Sequence, residues 1–346
     1  MRTRLNLFSL LLLAAALSWC GCATSRPPAP PAAPNWRLVL SPDFESRILA
    51  MNPERVSGRE VFEVLSNCPA PRVVNIHGGI YPVYLAMESF SEFLIGMGYP
   101  SNQVHNPDGS CSFSCYESST KIAGAIAWYY EQEPLRPVIV GHSQGGMQAV
   151  KVLHEFAGHF SKKIAVWNPV TRKKEKRYEI SEPLSGRQIP VVGLRLPYAT
   201  AVGSGGFTRF LPNQWSMMTK LRKVPDSVEY FTGFYMGLDL FGGDLLGFGG
   251  ANKYEANGAA QVRNVRLPTG YNHVTVPSTK HLLKSAQITE WINNYTPSDE
   301  PTVEVKFDSD SSHILWAADV WHSIKKHWVL ELQRVIRAQR AQSHGS

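Results

Sequence analysis

The chain has 346 residues, 43% hydrophobic and 18% charged, with a formal net charge of +7 at pH 7. That length suits one large domain or two small ones with a sizeable core, and the balance excludes both a disordered chain and a polytopic membrane protein. The basic excess gathers in "TRKKEKR" and in the C-terminal tail, where it reads as a solvated face or an affinity for an anionic membrane surface. No nucleic-acid partner is expected.

At the N-terminus, Arg2 and Arg4 precede an apolar run from Leu5 to Leu17. The run is too short for a comfortable membrane span and has the form of a secretory signal. The residues that follow, "SWCGC", resemble the lipobox of bacterial lipoprotein precursors. The resemblance implies that Cys22, which follows the small Gly21, is lipidated, with Cys20 the alternative. Residues 1–21 are then a lipoprotein-type signal peptide, and Ala23 implies sorting to the outer membrane; simple secretion is the alternative. Residues 22–36 form a linker in which "RPPAPPAAP" is a stiff, extended spacer.

Of five cysteines, Cys68, Cys111 and Cys115 remain for the folded part. In an oxidising compartment one disulfide is expected, either Cys111 to Cys115 or one of these with Cys68. No paired Cys or His spacing accompanies them, so no metal site is expected.

From about residue 71, buried-strand and helix patterns alternate. "PRVVNI" reads as a strand and "VYLAMESFSEFLIGMG" as a helix ended by glycines. "NQVHN" reads as a weak strand, "YESSTKIAGAIAWYYEQE" as a helix, "RPVIV" as a strand and "MQAVKVLHEFAGHF" as a helix. An inserted hairpin is expected over about 162–181, then strands at "IPVVGLRL", "VEYFTGFY" and "QVRNVRL", and a closing helix at "KSAQITEWINNY". The alternation predicts an α/β fold: a mostly parallel, doubly wound sheet with helices on both faces, spanning residues 37–298. Between the sixth strand and Asp239, a segment over about 198–227, rich in Gly, aromatics and Met, reads either as a small cap carrying an apolar pocket or as core. Residues 299–346 form a C-terminal extension with a basic helix that packs on the domain or lies on an anionic membrane.

The segment "RPVIVGHSQGG", Arg136 to Gly146, carries Gly-x-Ser-x-Gly, which roughly one chain in ten of this length would contain by chance. Context gives it weight. "PVIV" supplies a buried strand, Gly141 and Gly145 leave room for a tight turn, and "GMQAVKVLHEF" supplies the helix that must begin directly after the serine. Upstream, "VVNIHGGIYP" ends a strand on His77, Gly78 and Gly79. With these marks the chain resembles an α/β-hydrolase of the lipase and esterase type over about residues 70 to 295.

The resemblance implies a Ser-acid-His triad in chain order, an acyl-enzyme intermediate and no cofactor. Ser143 is the nucleophile. The N–H of Gln144 and that of Gly79, with Ile80 the alternative, form the oxyanion hole. His273, following directly on "VRNVRL", is the base, with His281 a less favoured alternative. For the acid, Asp239 and Asp244 both follow the strand "VEYFTGFY", and Asp226 precedes it. His142, His77 and His105 read as local structural residues. The implied function is hydrolysis of a carboxylic ester, of a small molecule or a lipid, in the bacterial envelope. An amidase or peptidase on the same fold and a noncatalytic envelope lipoprotein are the alternatives.

Overall fold

Side-chain caps set the starts of the first helices in the computed structural model, which describes residues 38–242 and 252–344. Ser41 accepts from the N–H of Phe44 ahead of α1 (Pro42–Ala50), and Ser57 and Glu60 close a reciprocal capping box on α2 (Gly58–Glu63). The apolar run that follows forms β1 (Val73–His77), buried almost throughout, and Pro82 in the first turn opens α3 (Tyr81–Gly96). A two-residue strand β2 (Phe113–Ser114) precedes α4 (Ser119–Gln132), which the side chain of Ser118 caps. β3 (Val138–His142), buried at every position, runs into α5 (Gln144–Phe156).

Two short antiparallel pairs stand apart from the main sheet. β4 (Trp167–Asn168) pairs with β5 (Lys173–Lys174), and β6 (Glu179–Ser181) with β7 (Gln188–Pro190). The main sheet resumes with the fully buried β8 (Leu196–Val202). After two 3-10 turns, at Thr208–Phe210 and Pro212–Met217, β9 (Lys223–Pro225) leads to β10 (Val228–Met236). β11 (Glu255–Asn257) pairs with β9 alone, and β12 (Gln261–Leu267), α6 (Ala286–Asn293) and α7 (Ile314–His344) complete the described chain.

Six strands form one all-parallel sheet in the order β12-β10-β8-β3-β1-β2, flanked by helices as in a doubly wound α/β architecture. Alternate side chains serve opposite layers. Val138 and Val140 of β3 join a core with Met87 and Phe90 of α3, Ile288 of α6 and Trp316 of α7, whereas Ile139 joins Ile126 of α4 and Val150 of α5. The chain moves outward from β1 to β2 and then crosses back to β3 on the other side of β1. The sheet therefore changes direction between β1 and β3, and the crevice at their carboxyl ends is where open α/β sheets take ligands.

Several expectations are corrected. "NQVHN" begins inside a 3-10 turn, Ser101–Gln103, and the edge strand lies later, at Phe113–Ser114. The sheet strand expected within "IPVVGLRL" begins only at Leu196, because Pro190 and the positive φ of Gly193 end the extended run that pairs with β6. Residues 198–202, assigned to the start of a cap, are thus central strand. In the remainder of that segment Met217, Leu221 and Val224 are buried, while Phe207, Phe210, Leu211, Trp215 and Met218 are exposed. Cys68, Cys111 and Cys115 are free thiols, all buried, with no disulfide among them.

The C-terminal helix packs on the domain. Trp316, Trp321 and Trp328 of α7 are wholly buried; the Trp316 ring lies 4.7 Å from that of Phe90, and Trp328 donates its indole N–H to the carbonyl of Pro69. Arg136, two residues ahead of β3, bridges the buried Glu331 of α7 at 2.6 Å and Glu229 of β10 at 2.8 Å. Among the described residues no helix is long and apolar enough to cross a membrane. The signal and linker residues, Cys20, Cys22 and Asp244 lie outside the described residues.

Candidate active site

Ser143 occupies the step between β3 and α5, with φ 57° and ψ −128°. This is the left-handed side of the backbone map, a sparsely populated conformation for a residue with a Cβ and one that stores strain of about 1–3 kcal/mol. Neighbouring backbone holds it there. The Ser143 N–H donates to the carbonyl of Val202 at the end of β8, and its own carbonyl accepts from Gly146 and Gly205. Glycine is obligatory at 145, where an added Cβ would run into the carbonyl of Ile76 at the end of β1. The turn is as tight as the spacing of glycines predicts.

The strained turn presents the serine Oγ to His273, whose Nε2 lies 2.8 Å away. His273 follows β12, in a loop ordered by Asn272: its side chain accepts from the N–H of Val274, and its carbonyl accepts from Thr275. On the other side of the ring, Nδ1 donates to Asp239 Oδ2 at 3.0 Å, and Oδ1 lies 2.8 Å from the same nitrogen. Asp239 is buried, and the N–H of Gly242 donates to its Oδ1 at 2.8 Å. The turn that aims this carboxylate begins at Leu238, itself at φ 60°. Hydroxyl, imidazole and carboxylate therefore form one hydrogen-bonded series, contributed by the ends of β3, β12 and β10.

A cavity of about 200 Å³ opens beside the Oγ, lined by Gly79, Ile80, Val83, Tyr116, Gln144, Gly205, Phe207, Thr208, Phe241 and Val274 together with Ser143 and His273. Among the described residues, the N–H groups of Gly79 and Gln144 have no acceptor. Gln144 is the first residue of α5, where the N–H groups of a helix lack internal partners and favour negative charge. Two side chains fix the loop after β1: His77 Nδ1 donates to the carbonyl of Gly78 at 2.6 Å, and the Tyr116 hydroxyl donates to that of Gly79 at 2.9 Å. The ring of Phe241 lies 5.4 Å from that of His273 and shields it from one side.

The remaining candidates stand elsewhere. His281 lies in a 3-10 turn, 3.2 Å from Ser312 Oγ and 3.7 Å from Asp310. Asp226 accepts from the N–H groups of Ala259 and Ala260, a turn-fixing role, and lines a separate hollow with His159. His105 bonds the carbonyl of Ser101. His142 is different: it is wholly buried and its Nε2 donates to the main-chain carbonyl of His273 at 2.6 Å. Burial first, and the proximity of His273 second, push its pKa down to about 3. No signal in the sequence links His142 to a residue 131 positions later. Phe241 and Tyr116 were equally unmarked, since an aromatic beside a site reads like any core aromatic.

No family model matches the chain, and neither the curated proteins nor the solved structures contain a match to it.

Proposed function

We propose that this chain is a serine hydrolase of the α/β-hydrolase type that cleaves carboxylic esters with an apolar acyl group. The observation that carries the reading is the Ser143–His273–Asp239 series, with the serine in a strained strand-to-helix turn beside a cavity. A buried carboxylate on Nδ1 fixes the imidazole as the tautomer whose Nε2 can take a proton from the serine. As Oγ attacks the ester carbonyl carbon, that proton passes to Nε2, and Asp239 stabilises the imidazolium that forms. The carbonyl oxygen, now anionic, is received by the unpaired N–H groups of Gly79 and Gln144. Collapse breaks the bond to the alcohol, which leaves with the proton from Nε2. Water then repeats the sequence on the acyl-enzyme, releasing the acid and restoring Ser143.

The lining supports an apolar acyl group. Ile80, Val83, Phe207, Phe241 and Val274 offer hydrocarbon, and among the described residues no Lys, Arg, Asp or Glu lines the cavity. Ile80, Tyr116, Phe207 and Phe241 are also exposed, so the mouth itself is apolar, a setting suited to a lipid or acyl ester. Export and lipid attachment at Cys22, or at Cys20, belong to the proposal on the N-terminal sequence pattern alone.

A fluorophosphonate probe tests the reading. Labelling of the wild type is expected, with labelling and ester turnover both lost in Ser143→Ala. Folded wild-type protein that stays unlabelled overturns it. Esters of graded acyl length, with and without detergent micelles, then define the acyl group, and a matched amide tests the preference for esters.

A further inference from the structure

We propose that His142 is a positioning residue for the base: its Nε2–H anchors the main chain of His273, and with it the imidazole that faces Ser143. The proposal rests on the hydrolase reading of the site. A carbonyl oxygen only accepts, so the 2.6 Å contact to His273 fixes the proton of His142 on Nε2. Its Nδ1 is then a bare acceptor, buried and without a partner among the described residues. Leaving a buried polar atom unsatisfied is costly, because it forfeits hydration without a replacing bond. An apolar side chain in the same slot would avoid that cost, so what the imidazole adds at this position is the single bond it makes. That bond ends on the residue carrying the base.

The placement explains why one bond matters. His273 lies beyond the last strand, in a loop whose other main-chain bonds near it are local turns around Asn272. His142 is the last residue of β3, paired with Val202 in the centre of the sheet and adjacent to Ser143 in sequence. The bond therefore references the base to the same rigid strand that carries the nucleophile. The two rings lie 5.6 Å apart, tilted by 41°. A cation at His142 would oppose the charge that His273 acquires during turnover. Burial keeps His142 neutral, with its pKa near 3, while the base changes charge.

Three variants test the role. His142→Ala and His142→Leu both remove the donor, and the leucine fills the slot that alanine would leave empty. Both are expected to lower kcat for a soluble ester by about a hundredfold, the effect of displacing a catalytic group by about 1 Å, with KM unchanged. His142→Gln carries an N–H donor at nearly the reach of Nε2 and is expected to restore kcat to within about tenfold of the wild type. A folded leucine variant with wild-type kcat overturns the proposal, as does a glutamine variant no faster than the leucine one. Fluorophosphonate labelling of the wild type separates the two ideas: its absence refutes the hydrolase reading, whereas labelling with equal rates in wild type and His142→Leu refutes only the role of His142.

Discussion

Asp239→Asn isolates the contribution of the acid, because the structure dictates how the amide must sit. Asp239 Oδ1 accepts from the N–H of Gly242 at 2.8 Å, whereas the bond from His273 Nδ1 runs to Oδ2 at 3.0 Å. In the variant the amide oxygen takes the Oδ1 position, since an NH2 there would meet the Gly242 donor head-on. The NH2 group then faces Nδ1, which becomes an acceptor, and the ring proton moves to Nε2. That nitrogen can no longer accept from Ser143. A reversed tautomer in an otherwise intact triad costs about 10⁴ in kcat, equivalent to about 5 kcal/mol of barrier. The fold should tolerate the change, because the amide is isosteric with the buried carboxylate. Turnover of a chromogenic ester, measured beside the thermal midpoint, checks both parts. A folded Asp239→Asn protein that keeps more than about a tenth of wild-type kcat, a loss of less than 1.4 kcal/mol, refutes the assignment. Asp244→Asn should leave kcat unchanged; the reverse pattern would move the acid to Asp244.

Two further outcomes concern stability. Arg136→Ala removes one of the two guanidinium partners of Glu331, whose side chain is 2% exposed and which keeps Arg334 at 2.9 Å, and should lower the unfolding free energy by about 1.5–3 kcal/mol in urea titrations; a loss below about 1 kcal/mol, the range of a surface pair, would show that the pair is not buried in solution. His142, His154 and His327 are buried, and burial lowers their pKa values to about 3, 4 and 4 from an ordinary 6.5. Their folded values lie below the unfolded one, so the unfolded chain binds more protons as pH falls. The stability they confer is complete above pH 6.5 and is lost towards pH 4, by about 1.4 kcal/mol per pH unit for each histidine. Equal urea midpoints at pH 7 and pH 5 would contradict their neutral burial.

The residues of the site were legible because each follows the end of a strand, and because the tight turn around Ser143 needs glycines at fixed offsets that survive as text. The sequence offers three aspartates for the acid: what aims Asp239 at His273 is the backbone of Leu238 and the N–H of Gly242, and backbone leaves no letter in a sequence. The strand at Leu196 was displaced because "IPVVGLRL" and "LPYATAV" are equally apolar, and only pairing tells them apart. The basic tail read ambiguously for a related reason. Glu331 is paired with Arg334, three residues on, and with Arg136, 195 residues earlier, so a buried ion cluster has the sequence signature of a solvated face. His142 reads as local structure in the sequence because its partner is a carbonyl on a distant loop.

The positive φ of Ser143 makes its codon a record of selection. Glycine would relax about 1–3 kcal/mol of backbone strain while losing only about 0.5–1 kcal/mol in chain entropy, so on stability alone Ser143→Gly is favoured. On the proposed reading, it is turnover and not stability that keeps a serine in this conformation. A descendant that kept this fold for binding, or one bred solely for heat resistance, should lose the hydroxyl at this position before it loses any residue of the core.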